Sequence, residues 1–361
     1  MKLAKFLCIA GISVSFLSSP VYALSTHDQS KFKQAEKYLE IKDLHQYYKL
    51  KSQLKNDPLY PYLLYREITQ DFSGFDSATV EKVLKTYKGT YWAKVLTSAW
   101  LDYLGETKQW KKYAKVYQRG NSITQRCWYW HAKYETGFKS LALKGFTNVW
   151  LASGSLPESC STMIGEWEGS KEDTYAVRWK RVVLAMSIGG TTLAKSLVKS
   201  LPKSDQKFVL AWIEARHYPQ RDLLVFYSQE KKSDHFDLAF QDIMNAYIQK
   251  DLDSAIAFWQ KFKGRKAFSE SLRSEINGQI GIHLARRYDL TAMGWFKKTD
   301  DQYKSDLAWQ WQARLAIRFS QWKTLLMAMQ KMPVGLKKNP EWQYWLGRAY
   351  AENKETLKKF L

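Results

Sequence analysis

Over 361 residues the chain sets 56 lysines and arginines against 35 acidic residues, a formal net charge of +21, and so basic a balance predicts attraction to polyanions. The basic residues are scattered rather than gathered in one run, which leaves solvated helix faces as the alternative explanation. Of three cysteines none has a second ligand at C-x-x-C spacing, which excludes a zinc ribbon or finger, and no metal is expected.

The first residues read as a leader. Met1-Lys2-Leu3-Ala4-Lys5 precedes an apolar run from Phe6 to Leu17, and Val21-Tyr22-Ala23 offers a small-x-small cleavage site. Residues 1–23 are therefore expected to be a secretory signal peptide, with a mature start at Leu24. A retained anchor is the competing reading. The run is shorter than a membrane span and Ser18-Ser19-Pro20 interrupts it, and no later apolar run reaches spanning length, so no transmembrane segment is expected. Cys8 sits inside the leader, away from any lipoprotein position. Export leaves cell-wall polymers, lipid head groups or acidic glycans as polyanionic partners and disfavours nucleic acid.

From Ser30 the pattern is helical. Phe32, Ala35, Tyr38 and Leu39 recur at helical spacing, and Leu44, Tyr47, Tyr48, Leu50 and Leu54 continue a similar stripe. Prolines at 58, 61, 157, 202, 219, 333 and 340 stand where helices should begin or turn. The stretch Thr124–Gly137, TQRCWYWHAKYETG, is echoed by EWQYWLGRAYAENK from Glu341. Setting Tyr129-Trp130 on Tyr344-Trp345 places Ala132 opposite Gly347 and Lys133 opposite Arg348. Cys127 and Cys160, the two cysteines beyond the leader, read as one disulfide in an oxidising compartment, with two free thiols as the alternative. Cys160 falls in the most irregular patch, Ala152–Thr174, which reads as a long connection. Positions Ala176, Lys207, Asp237, Leu272, Trp309 and Gln343 mark comparable first helices of a helix-turn-helix array, in which each unit buries its apolar face only against its neighbours. Ala308, Ala313, Ala316, Gly347 and Ala351 are expected at close helix approaches. The aromatic load, 16 Trp and 22 Tyr, reads first as packing, with some rings stacking on sugars as the alternative. The last turn, 356–361, has no glycine or proline stop and looks cut rather than capped.

Catalytic signatures are missing. His27, His45, His131, His217, His235 and His283 are dispersed, with no HExxH among them, and neither nucleotide-binding glycine motif nor GxSxG elbow occurs. Glycan cleavage needs a carboxyl group held in a cleft. Glu166 and Glu168 around Trp167, and Asp300 next to Asp301, read as solvated charge. No cofactor is expected.

Several stretches, in order, resemble the superhelical domain of soluble lytic murein transglycosylases: NDPLYPYLLYREITQDF at Asn56–Phe72, QRCWYWHAKYETG, the LPESC segment with Cys160, YAVRWKRVVLAM at Tyr175–Met186 and NPEWQYW near the end. The resemblance implies an all-α superhelical solenoid of stacked helical hairpins over 24–361, a TPR-like ring or horseshoe that embraces a separate catalytic domain. In that family a lysozyme-like C-terminal domain cleaves the bond between N-acetylmuramic acid and N-acetylglucosamine, with 1,6-anhydromuramyl products. Its Glu-Ser-x, Gly-Leu-Met-Gln and Ala-Tyr-Asn motifs have no counterpart here. Glu270-Ser271-Leu272-Arg273 is a superficial echo inside a repeat, so no catalytic residue is carried over and binding residues stay unassigned. The expected role is a non-catalytic, peptidoglycan-associated superhelix, or alternatively an independent solenoid adaptor for glycan strands or a protein partner.

Overall fold

Side chains able to cap a helix stand where helices start. Asp43, Asp76, Thr90, Ser122, Asp251, Ser269 and Ser305 each accept a hydrogen bond from the backbone N–H three residues on, satisfying a donor that the first turn leaves open. Pro219 and Pro340 occupy first helical positions and Pro61 a second, where the missing N–H costs nothing. The computed structural model describes residues 26–118 and 122–353, all-α with no strand among them. The expected leader over 1–23 and the last turn at 356–361 lie outside the described residues. The chain divides into two compact units, Met1–Ala142 and Leu143–Leu361.

The first unit begins with α1 (Thr26–Glu40), α2 (Leu44–Gln53), α3 (Tyr60–Gln70) and α4 (Ser77–Thr86), followed by α5 (Tyr91–Glu106), α6 (Trp110–Val116) and α7 (Ile123–Glu135). Phe32, Ala35 and Leu39 pack with Tyr47, Leu54 and Leu63 in one core, as the stripe on α1 predicts. The second stripe holds only in part. Tyr47 and Leu54 are buried, but Leu44 and Tyr48 are about half exposed, because α2 turns a narrower face to α1 than five apolar residues could cover. Between α2 and α3 lies a buried polar lock: Glu67 accepts from Lys51 and, at 3.1 Å, from the Tyr47 hydroxyl. Burial, then the charge of Glu67, pushes the Tyr47 phenol far above its usual range, so it acts as a fixed donor.

Helices α5 and α7 meet closely at Gly105, where a Cβ would overlap the Trp128 ring. Gly105→Ala is therefore expected to destabilise the protein by about 1–3 kcal/mol, measured by denaturant unfolding. Gly165→Ala, where a Cβ meets nothing within 4 Å, is the control and should be neutral or slightly stabilising.

Next in sequence are α8 (Lys139–Trp150) and α9 (Ser161–Trp167). The hairpins α10 (Tyr175–Ser187) with α11 (Thr191–Val198), α12 (Lys203–His217) with α13 (Pro219–Glu230), and α14 (Phe236–Lys250) with α15 (Leu252–Phe262) follow. The series ends with α16 (Glu270–Arg286) and α17 (Ala292–Lys297), α18 (Asp306–Arg318) and α19 (Trp322–Lys331), then α20 (Val334–Lys337) and α21 (Pro340–Glu352). The six positions marked in the sequence fall on α10, α12, α14, α16, α18 and α21. Each of α10, α12, α14, α16 and α18 packs on the helix that follows it, and α12, α14, α16 and α18 pack in succession, the nearest-neighbour burial of a solenoid. A continuous core runs from Trp179 to Leu315.

Two local expectations change. The patch 152–174 holds a 3-10 turn at Glu158–Cys160 and then α9, a helix too short to show periodicity in sequence. It is pinned by Trp167, fully buried, stacked on Trp150 with ring centroids 4.8 Å apart and donating to Thr147 Oγ1 at 2.9 Å. Arg181 reinforces it: buried over the Trp150 ring, it donates to the carbonyls of Ala152 and Gly154. Burial lowers its guanidinium to about 10. Ala308, Ala313 and Ala316 are fully buried as expected, but Gly347 and Ala351 are exposed and a Cβ on Gly347 would meet nothing within 4 Å. The buried pair on α21 is Trp342 and Ala349, two helical turns apart on the side facing α19. The same spacing separates buried Gln125 and Ala132 on α7, so the burial patterns of the two echoing helices align two residues away from the register their aromatic pairs suggested.

Candidate functional site

None of the carboxylates singled out in the sequence sits in a cleft. Glu166 and Glu168 are exposed on either side of buried Trp167. Asp300 accepts from the Gln302 N–H at 2.9 Å. The Lys331 ammonium, 2.7 Å from Asp301, holds that carboxyl below the usual carboxylate range, with Lys304 adding to it. Glu270 is exposed and pairs with Arg273 one turn along at 3.3 Å. These are ordinary surface and helix-pair interactions.

The histidines are equally dispersed in space. His131 lies tilted against Trp110, His235 stacks on Trp179 with centroids 3.9 Å apart, and His217 lies edge-on to Tyr218. His283 is pushed below its ordinary range by burial and by the charges of Arg286 and Arg287. No group of three His, Cys, Asp or Glu side chains able to hold a metal ion occurs among the described residues. Cys127 and Cys160 are both fully buried and both disulfide-bonded.

What sequence reasoning missed is Asp242. On α14, it accepts hydrogen bonds at 2.9 Å from Trp212 Nε1 and from Arg216 Nε, both on α12. Burial raises its carboxyl above the usual range, against the pull of Arg216. The only signal was Trp212 and Arg216 four apart on one helix face, with an acid about one repeat later. Because Arg216 spends its Nε on Asp242, its two terminal nitrogens are turned toward Gly189, whose φ is +73°. They line a recess of ≈ 440 Å³ with Thr191, His217, Ala246, Gln249 and Lys250, and Lys250 donates to the His217 carbonyl at 3.4 Å. Such a recess can hold an anionic or strongly polar group.

An all-α array of helical hairpins with a basic recess defines a scaffold class, and comparison with known proteins narrows it. The chain is 23% identical over 343 residues to a soluble lytic murein transglycosylase of Escherichia coli, covering 94% of this chain and 53% of the relative. It is 23% identical over 294 residues to the soluble lytic murein transglycosylase of Salmonella typhimurium, covering 81% and 45%. Among solved structures it is similar to an inactive mutant of the lytic transglycosylase Slt from Pseudomonas aeruginosa, with TM-score 0.73, 24% identity, and 89% and 52% coverage. The 70-kDa soluble lytic transglycosylase of Escherichia coli gives TM-score 0.74 at 21% identity, covering 92% of this chain and 54% of that one. No protein-family model matches. The resemblance read from the residues thus extends over nearly the whole chain, and the chain spans about half the length of the curated relatives it matches.

Proposed function

We propose that this chain is a periplasmic, peptidoglycan-associated superhelical scaffold related to the soluble lytic murein transglycosylases, and that it does not itself cleave glycan. The observation that carries this reading is the similarity over 94% of the chain to enzymes named for murein. The placement of the carboxylates supports the second half. Asp242, the acid with a raised pKa described above, is partly buried and bonded to two donors, whereas a glycosidic oxygen needs a protonated acid within reach. The leader over 1–23, a superhelical domain over 24–361 and a Cys127–Cys160 bridge belong to the same proposal. Oxidised cysteines suit an exported protein.

Incubated with purified peptidoglycan sacculi, the chain is expected to co-sediment with them and to release no 1,6-anhydromuropeptides detectable by mass spectrometry. Release above a heat-denatured control would overturn the non-catalytic reading. Failure to co-sediment would overturn the peptidoglycan association.

A further inference from the structure

At the C-terminal end of α16 and along α18, four arginines gather with no carboxylate within ion-pair distance among the described residues: Arg286, Arg287, Arg314 and Arg318. Three of them are held by aromatic faces. Arg286 and Arg314 lie over the Trp311 ring at 5.7 and 5.5 Å, Arg314 also lies over buried Trp342 at 5.4 Å, and Arg318 lies over Tyr288 at 5.3 Å. Gln310 steadies Arg314 through a 3.3 Å hydrogen bond. Tyr288, 58% exposed, stands just beyond the α16 terminus at φ +57°, a position glycine usually fills. The nearest acid in sequence, Asp289, is engaged by the N–H and hydroxyl of Thr291 at 2.8 and 2.7 Å. The half-buried His283 one turn back feels Arg286 and Arg287 as neighbouring charge, so the patch is also electrically continuous.

Cations at a helix C-terminus are stabilised by the helix dipole. That accounts for Arg286 and Arg287, at the end of α16, and for Arg318, at the end of α18, but not for Arg314 in the body of α18, which Trp311 and Trp342 hold instead. Guanidinium groups held over aromatic rings can still present N–H edges to a carboxylate in a bidentate manner; Arg286 and Arg318 do so from exposed positions, while Arg314 has one terminal nitrogen given to Gln310. We infer that this arginine–aromatic patch on α16 and α18 binds the free carboxylate groups of peptidoglycan, which its peptide stems carry. The inference rests on the peptidoglycan reading above and adds to it a particular surface and a particular chemical group. It is a site separate from the Arg216 recess, built from later repeats.

The test is co-sedimentation with purified sacculi across a salt series. The double variant R287E/R318E alters two exposed side chains and is expected to weaken binding about tenfold or more at low salt and to flatten the salt dependence. K33E/K37E, the same charge change placed on α1, should weaken it less than about twofold. Arg314→Lys keeps the charge but loses the planar fork, and is expected to weaken binding severalfold. Unchanged circular dichroism and melting temperature certify each fold. Sacculi whose carboxylates have been converted to amides should lose the difference between wild type and R287E/R318E. If R287E/R318E binds like K33E/K37E, or wild type binds amidated and native sacculi alike, the patch assignment falls while the peptidoglycan association stands. If wild type does not bind native sacculi at all, both fall.

Discussion

Trp259→Ala is expected to destabilise the second unit by about 3–5 kcal/mol and to lower its thermal midpoint accordingly. Trp259 on α15 is fully buried. Its ring lies against Phe268 with centroids 5.3 Å apart, and Phe268 in turn touches Tyr227, Phe236 and Phe240. Truncation would leave a cavity that neighbouring helices cannot close without shifting the hairpins on either side. The indole also donates to Asn277 Oδ1 at 2.9 Å, and Asn277 passes a hydrogen bond to the Lys298 carbonyl at 3.2 Å, so this one side chain links α15, α16 and the end of α17. Trp259→Phe separates the two contributions: it keeps most of the ring, strands the buried Asn277 oxygen, and should cost about 1–3 kcal/mol. Equal losses for both variants would mean that the hydrogen bond, not the packing, dominates.

Glu67→Ala is expected to cost about 3–5 kcal/mol, because removing one partner of a buried pair leaves the other charge uncompensated. Glu67 is 6% exposed, and Lys51 keeps only 17% of its side chain in solvent. The Tyr47 hydroxyl, wholly buried, would retain only the Leu63 carbonyl at 3.4 Å. Replacing the pair together, Glu67→Leu with Lys51→Met, should recover most of the loss, since apolar isosteres avoid the desolvation that the ion pair must offset. Urea midpoints of the single and double variants check this. A double variant no better than Glu67→Ala would locate the effect in the tyrosine hydrogen bond instead.

These two positions also show how far sequence reasoning reached. The helix carrying Trp259 lies within the repeat marked between Asp237 and Leu272, and burial of a tryptophan there follows from the amphipathic pattern. That its indole meets Asn277, eighteen residues on, does not. Glu67 lies inside the stretch that carries the family resemblance, yet nothing in PYLLYREITQ distinguishes it from a solvated glutamate. Its burial depends on Tyr47 and Lys51, twenty and sixteen residues away on another helix. Asp242 and the arginines of α16 and α18 escaped notice for the same reason. Scattered in sequence, they read as surface charge until neighbouring repeats set Arg286 and Arg314 on the same indole.

By itself the sequence determined the all-α class, the hairpin period, most helix starts and the burial of the α1 stripe, because these depend on interactions within a few residues: caps, prolines and the recurrence of apolar side chains every three or four positions. Only the tertiary structure decided the rotation of each helix about its own axis. That rotation buries Tyr47 and exposes Tyr48, and it buries Ala349 and exposes Gly347. Neighbouring side chains on a helix point about 100° apart, so a one- or two-residue change of face moves a side chain from core to solvent at little local cost. The choice between faces is made by the helices packed alongside, whose identity no stretch of local sequence contains.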